Sequence, residues 1–331
     1  MKSSGWSAGL TYVGAVVGAG FASGQEIYQF FTRFGVLGVY GIGFAGFMFA
    51  VLGYLAFERG RRMQVSSYRE LLGSLYPPGM VRATETMISA FLFVGLGIVS
   101  SAGGADVAQL TGLPMVLGGV ITTLGVVAVA AKGIRGVIRL NTLLIPYLVV
   151  MILTIAVLNW SAPALVEASA PRQGWLVAAG LYFSYNIFTA IMMLVGVGRT
   201  LTSFRQSLWG ALLGAGLLSL LALAEHHLLM TLPRIGTLPL VDAAWGIHPV
   251  WGFLFGIGLW VALFTTGIAE AYVLTEQYGK KVLWWVTATF LLGLIRFDDL
   301  VALLYPVMGM VAMVLWIPLV YKKPGRGLPG G

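Results

Sequence analysis

The chain has 331 residues, of which 58% are hydrophobic and only 10% are charged. This leaves too few polar side chains to cover a water-soluble globule, so we expect an integral membrane protein. The sequence contains no cysteine, which excludes disulfides and cysteine nucleophiles, and its three histidines lack metal-ligand spacing, which argues against metal catalysis.

Ten apolar stretches are long enough to cross a membrane as helices, which takes about 20 residues each. The apolar runs show no period-two alternation, so we expect helices and not the strands of a barrel. The predicted spans lie near residues 5–33, 35–57, 81–110, 114–131, 137–158, 173–198, 204–224, 247–276, 281–297 and 300–321. Lys2 and the apolar stretch after it resemble a signal peptide, but the apolar pattern resumes at residues 27–31. We therefore expect a mature helix there.

The basic residues predict the orientation, because cytoplasmic loops carry an excess of Lys and Arg. With ten spans and a cytoplasmic N-terminus, most of the 20 basic residues face the inside, including those of a cytoplasmic tail at 322–331. The four exceptions are Arg33, Arg172, Arg234 and Arg296. Both termini are therefore predicted to be cytoplasmic.

A weak internal repeat appears at an offset of about 164 residues. This shift takes residues 18–24 to 182–188 and Asp106 to Glu270. It predicts two five-helix copies, at 5–158 and 172–321, joined by an outer loop at 159–171. Because five is odd, the second copy enters the membrane from the opposite face, and such inverted repeats are typical of alternating-access transporters.

Polar, glycine-rich positions predict that helices 1 and 6 are unwound in mid-membrane. Gly14, Gly18, Gly20 and Gly24 lower the cost of unwinding the first span. Peptide groups freed at this depth must meet an ion, a ligand or water. Ser184 and Asn186 mark the corresponding segment of the sixth span. The alternative is that the glycines only allow close helix packing.

Three acidic residues within the spans need an account. Three roles are open for Glu26: it could form a capping box with Ser23, contact a substrate or cation, or carry a proton. Asp106 and Glu270 are symmetrically placed, as expected of gating residues, and the alternative is that they reach toward the lipid headgroups. Possible basic partners are Arg33 or Arg296 for Asp106, and Arg199 or Arg205 for Glu270.

The segment at 13–26, VGAVVGAGFASGQE, resembles the first helix of LeuT-fold transporters of the amino acid-polyamine-cation superfamily. Within that superfamily it is similar to the opening of the bacterial YkvI-type membrane proteins. The resemblance covers nearly the whole chain, although only this motif is specific. It implies an all-α membrane fold of ten helices in a five plus five inverted repeat, located in the bacterial inner membrane.

The resemblance also implies a sodium site, with no other cofactor. Its oxygen ligands would be backbone carbonyls and hydroxyls, which suit a hard cation. They fall on Gly14, Val17, Ala262, Thr265 and Thr266. The alternative for the two threonines is a hydrogen bond back to their own helix. No lysine lies between residues 140 and 158 in the fifth span, whereas proton-coupled relatives carry one there, and this favours sodium.

In the same family, amides at the first-helix break hold the carboxylate of an amino acid. That role would fall on Ala19 and Gly20, with neighbours that complete the predicted substrate site. The full set is Gly18, Ala19, Gly20, Phe21, Ser23, Glu26, Ser184 and Asn186. After the break the chain departs from the symporter pattern, with SGQE at 23–26 in place of aromatic and basic gate residues, which leaves the substrate open.

Together these patterns predict a sodium-coupled secondary transporter of a small organic solute, such as an amino acid or related zwitterion. The alternatives are a proton-coupled carrier and a ligand-sensing membrane protein that does not transport. A channel would need a continuous polar lining, and no nucleophile, base and orienting residue occur together as an enzyme requires. We expect a lipid bilayer and a small molecule as partners, with no nucleic acid and no obligate protein partner.

Overall fold

The computed structural model describes residues 4–64, 70, 73, 76–132, 135–160, 162–165 and 168–321. Within these ranges all regular structure is helical. The predicted cytoplasmic tail at 322–331 lies outside the described residues.

The helices follow the chain order of the predicted spans. The first half contains α1 (Gly5–Val16), α2 (Ala19–Ser23), α3 (Gln25–Phe30), α4 (Leu37–Met63), α5 (Pro78–Thr111), α6 (Met115–Ala130) and α7 (Arg135–Leu158). The second half contains α8 (Trp175–Gly198), α9 (Phe204–Met230), α10 (Pro239–Ile247), α11 (Pro249–Tyr278), α12 (Leu283–Ala288) and α13 (Phe297–Tyr321). Short 3₁₀ turns lie at Thr32–Phe34, Arg172–Gly174, Lys280–Val282 and Thr289–Leu294.

Several helices have the length and composition of membrane spans. Five are both long and apolar enough, namely Leu37–Met63, Pro78–Thr111, Arg172–Ile191, Phe204–Met230 and Pro249–Tyr278. Met115–Ala130 and Leu143–Leu158 are shorter apolar helices. A bundle with this many apolar helices is an integral membrane protein.

The first predicted span is divided into three helices by glycine. Gly18 has extended backbone angles, φ −103° and ψ −169°, and separates α1 from α2. Gly24 separates α2 from α3 with φ +84°, a left-handed conformation that side chains other than glycine rarely adopt. The predicted interruption of helix 1 is therefore present.

The predicted unwinding of helix 6 is wrong. Helix α8 runs without interruption from Trp175 to Gly198. Its polar side chains bond to carbonyls of their own helix: Ser184 Oγ donates to Gly180 at 2.6 Å, and the Asn186 side-chain amide donates to Tyr182 at 3.1 Å. No glycine or proline lies between residues 181 and 195, so the backbone has no reason to leave the helix.

The predicted ninth span also differs from the structure. In place of one α-helix over 281–297, α12 passes into the 3₁₀ segment Thr289–Leu294, and the chain turns before Phe297. A 3₁₀ helix rises about 2.0 Å per residue, against 1.5 Å for an α-helix, so it covers more depth with few residues.

Glycines allow the central helices to approach closely. A Cβ at Gly198 would collide with the Phe57 carbonyl, and one at Gly60 with the Val195 carbonyl, so α4 and α8 meet backbone to backbone. Gly214 of α9 similarly receives the Tyr12 ring of α1. Small residues at such crossings are typical of helix packing in lipid. The Tyr12 contact holds the interrupted first span against α9.

Candidate functional site: a cavity at the helix break

The break exposes peptide groups in the middle of the bundle. The hydrogen bonds of α1 end where Val17 N–H donates to the Val13 carbonyl at 2.8 Å. They resume where Ala22 N–H donates to the Gly18 carbonyl at 2.9 Å. The carbonyls of residues 14–17 therefore lie past the end of one helical ladder, where they are free to bind a ligand or ion.

A cavity of about 270 Å³ lies against this break. Its walls come from α1 and the break, the middle of α5, α7, α8, α11 and α13. The lining residues are Gly14, Ala15, Val16, Val17, Gly18, Gly20, Glu26, Phe91, Leu92, Gly95, Ile98, Val99, Leu144, Ile145, Leu148, Tyr185, Asn186, Thr189, Ala262, Thr265, Thr266, Glu270, Tyr305 and Met308. A pocket formed between helices of a bundle is a common place for a small ligand.

Ten of the predicted site residues line this one cavity. All five residues of the predicted sodium site do so, together with four of the predicted substrate residues and one predicted gating residue. They are Gly14, Val17, Ala262, Thr265, Thr266, Gly18, Gly20, Glu26, Asn186 and Glu270. These residues are spread from Gly14 to Glu270 in the sequence, so the fold brings them together.

Three described residues of the predicted substrate site, Phe21, Ser23 and Ser184, lie outside the lining. Phe21 is fully buried behind the break. Ser23 Oγ donates to the Gly20 carbonyl at 2.8 Å, and Ser184 Oγ donates to a carbonyl of α8, so neither hydroxyl has a proton left to donate to a ligand. Ala19 is the first residue of α2, and its side chain lies outside what the structure describes.

Glu26 turns from α3 back toward the break. Its carboxyl lies beside the Tyr185 hydroxyl, the Asn186 side chain and the Phe21 backbone amide. A Cβ at Gly20 would occupy the place of this carboxyl, so any larger residue there would displace it. Glu26 is 4% exposed, and its Oε2 has no hydrogen-bond partner among the described residues.

The predicted capping box is wrong in its geometry. The N-cap of α3 is Gly24, which has no side chain to cap the helix. Ser23 Oγ accepts from Gln25 N–H at 3.2 Å, but the Glu26 carboxyl reaches the Phe21 amide of α2 in place of the Ser23 amide. The left-handed Gly24 causes this difference, because it turns α3 away from the direction that a capping box needs.

Glu270 and Asp106 have different surroundings. Glu270 of α11 lies over Gly95 of α5, where a Cβ would collide with its carboxyl, and its Oε2 has no partner among the described residues. Asp106 is fully buried away from the cavity, near Gly256, and both its oxygens lack partners in the described part of the chain.

The basic partners suggested for these two acids do not contact them. Arg296 pairs with Asp298 at 2.8 Å, and the Arg33 guanidinium lies 5.4 Å from the centre of the Phe34 ring. Within the described ranges neither Arg199 nor Arg205 pairs with Glu270. These arginines lie at helix ends, too far along the bundle to reach carboxyls held in its interior. The gating role of both acids stays a prediction.

The two threonines of α11 behave differently. Thr265 is 2% exposed and donates to the Ala262 carbonyl at 3.1 Å. This hydrogen bond within the helix is the predicted alternative to ion binding. A hydroxyl that donates in this way keeps its lone pairs for a cation. Thr266 lines the cavity beside it.

One end of the cavity is closed. The Gln25 side-chain amide donates to the carbonyls of Gly236 at 2.8 Å and Thr237 at 3.2 Å, which joins α3 to the segment before α10. Phe30, Phe31 and Tyr182 pack beneath this contact. The lining therefore extends from the break toward Phe91 and Glu270 and away from Gln25.

Several residues of this region were not predicted from the sequence. Phe91, Thr189 and Tyr305 line the cavity, and a single sequence gives no signal for them. Glu225 is fully buried in α9 with neither oxygen partnered among the described residues. Its omission follows from ending the seventh span at residue 224, whereas the apolar pattern of Leu228, Leu229 and Met230 continues the helix.

No protein-family model matches the chain. It is similar to the protein described as "Uncharacterized membrane protein YkvI" of Bacillus subtilis, with 27% identity over 98% of both chains. It is also similar to "Uncharacterized protein YyaD" of the same organism, with 26% identity over 95% of this chain and 96% of that protein.

Solved structures resemble the whole bundle. A manganese transporter from Eremococcus coleocola matches with a TM-score of 0.64 and 15% identity, over 94% of this chain and 77% of that one. MhsT in complex with L-phenylalanine matches with a TM-score of 0.59 and 18% identity, over 97% and 82%. The chain has a LeuT-type transporter fold. The YkvI-like, LeuT-fold resemblance seen in the first span is thus confirmed, and both structural neighbours are transporters and not enzymes.

Proposed function

We propose that this protein is a secondary active transporter of a small organic solute that works by alternating access. The observation that carries this proposal is the cavity at the break of the first span, which combines free backbone groups with side chains from both halves of the chain. The transporter fold supports it. The resemblance implies an amino acid or related zwitterion, whose amino group would face the Glu26 carboxyl.

The proposed architecture has ten spans in two inverted repeats. The pattern of helix contacts supports it. Helix α1 of the first span packs on α9 of the seventh span, and α8 of the sixth span packs on α4 of the second span. An inverted repeat relates the first span to the sixth and the second to the seventh, so these two contacts are equivalent. The contacts of α5 with Thr289–Leu294 and of α11 with α6 form a second such pair. We place the protein in the bacterial inner membrane with both termini on the cytoplasmic side. In this orientation the cavity extends toward the cytoplasm.

The proposed coupling ion is sodium, bound by the Gly14, Val17 and Ala262 carbonyls with the Thr265 and Thr266 hydroxyls. All five positions line the same cavity. The donor set contains only oxygen, which suits an alkali cation. Binding of the ion would join α1 to α11, and so stabilise one conformation of the carrier.

Replacement of both threonines tests this site. The variant with Thr265→Ala and Thr266→Ala is expected to lose sodium-dependent uptake and sodium-dependent thermal stabilisation, because two of five ligands are removed. The matched control is Thr275→Ala, which removes a hydroxyl on the same helix that donates to the Tyr272 carbonyl at 2.7 Å outside the cavity. If the double variant keeps its full sodium response, the ion site is wrong.

A proton-coupled carrier is the second candidate. The observation that favours it is the presence of two carboxyls, Glu26 and Glu270, in the cavity lining. The two candidates differ in their driving force: uptake into proteoliposomes under a pH gradient, with choline as the only added cation, supports proton coupling. Uptake that needs sodium supports the first candidate.

A further inference from the structure

The cavity has an acidic lining. Glu26 and Glu270 contribute two carboxyls, and no Lys, Arg or His of the described residues lines it. A zwitterion needs a group for its carboxylate as well as one for its amine. Among the described residues of the lining, a carboxylate finds as donors backbone amides and neutral side chains.

The protein's own carboxyl already lies beside two of these donors. Glu26 lies against the Phe21 amide and the Asn186 side chain, and the missing Cβ of Gly20 makes room for it. A substrate carboxylate bound at the same place would meet a like charge, and juxtaposed like charges cost several kcal/mol. In this chain the anionic group at the break belongs to the protein.

Three buried polar atoms of the cavity lining form no hydrogen bond to the described residues. They are Oε2 of Glu26, a residue 4% exposed, Oε2 of Glu270, and the hydroxyl of Tyr185, a residue 6% exposed. The Tyr185 and Tyr305 rings lie 5.0 Å apart, and both line the cavity. Carboxyl oxygens beside aromatic faces are the surroundings that an organic ammonium group requires.

A transition-metal ion, unlike the proposed sodium, fits these walls less well as the substrate. The described residues contain no cluster of three or more His, Asp or Glu side chains that could hold a metal. The volume of about 270 Å³ equals that of about nine waters, at about 30 Å³ each, which is room for a small organic molecule.

We propose that the cavity binds a small organic cation, an amine without a carboxylate, with Glu26 as the group that neutralises it. This inference deepens the proposed transporter function, on which it rests, and replaces the zwitterion with a cation. Tyr185 and Tyr305 form the aromatic wall around the ammonium group, and Glu270 adds negative charge at the other end of the cavity.

Matched pairs of ligands test the inference on the purified wild-type protein. Isoamylamine differs from leucine, and phenethylamine from phenylalanine, only by the missing carboxylate. Binding of all four, and of choline and Mn²⁺, is measured by thermal shift and isothermal titration calorimetry. We expect at least one amine or choline to bind, and the better amine to bind at least ~10-fold more tightly than its parent amino acid. A tighter amino acid, binding of Mn²⁺ alone, or no binding by any probe would overturn the inference.

A variant then assigns the cation to Glu26. Glu26→Gln is expected to weaken binding of the amine at least ~10-fold, since the charged partner is lost. Glu276→Gln makes the same change at an exposed position of α11 and is expected to leave the affinity unchanged. Equal affinity in Glu26→Gln and wild type would refute the role of Glu26. Should Glu26→Gln not fold, the matched ligands on the wild type still decide.

Flux measurements separate this inference from the proposed function. If an amine binds but neither a sodium nor a pH gradient drives its uptake into proteoliposomes, the cation site stands and the transporter proposal fails. If amino acids are taken up and amines are neither bound nor transported, the transporter proposal stands and the cation site fails.

Discussion

Gly20 is the position where one added methyl group bears most directly on the site. A Cβ there would lie 2.8 Å from Cδ of Glu26 and 2.9 Å from its Cγ, and would collide with Oε1. Because three successive atoms are in the way, the whole side chain has to turn. The Glu26 carboxyl then leaves its place beside the Phe21 amide, so the ligand loses its contact with a charged group, and loss of such a contact costs about 1–3 kcal/mol.

We therefore expect Gly20→Ala to weaken ligand binding by about 5- to 150-fold, which corresponds to that free energy. The assay is isothermal titration calorimetry of the purified protein, with thermal unfolding measured in parallel. Gly18→Ala is the control for unfolding, since a Cβ at Gly18 meets only the Val16 carbonyl at 3.9 Å and its φ of −103° suits alanine. It should unfold like the wild type. Unchanged binding by Gly20→Ala would refute the placement of Glu26.

Two further predictions concern residues around the cavity. Gln25→Ala removes the donor to the Gly236 and Thr237 carbonyls, so a single cysteine placed at Thr237 should react faster with thiol reagents. The chain has no native cysteine to interfere. An unchanged reaction rate would contradict the closure of this end of the cavity. Asp106→Asn removes a buried carboxyl that has no partner among the described residues, so the Tm should rise or stay equal. A lower Tm with loss of uptake would indicate a gating role.

The first break could be predicted from the sequence, whereas the second could not. At residues 14–24 four glycines remove the steric barriers to unwinding, and Gly24 in fact adopts a positive φ. At 182–188 the prediction relied on polar side chains alone. Ser184 and Asn186 satisfy their hydrogen bonds within α8, so polarity without glycine or proline did not interrupt the helix.

The candidate site was predictable where backbone groups define it and not where long-range packing does. Gly14 and Val17 follow from the break itself, and Thr265 and Thr266 from the resemblance. Tyr305 reaches the cavity because α13 packs on α8, a contact that no local pattern encodes. The direction of the Glu26 side chain depends on the turn at Gly24, which the capping-box pattern cannot represent.

Alternating access at the break of the first span is the central claim, and a single cysteine tests it most directly. Val17→Cys places a thiol in the cavity lining and leaves the Val17 carbonyl in place. Its reaction with membrane-impermeant thiol reagents is measured from each face of oriented vesicles, with sodium or with choline. We predict reaction from one face at a time, with sodium shifting reactivity from the cytoplasmic to the outer face. Reaction from both faces together, or from neither under any condition, would contradict the account.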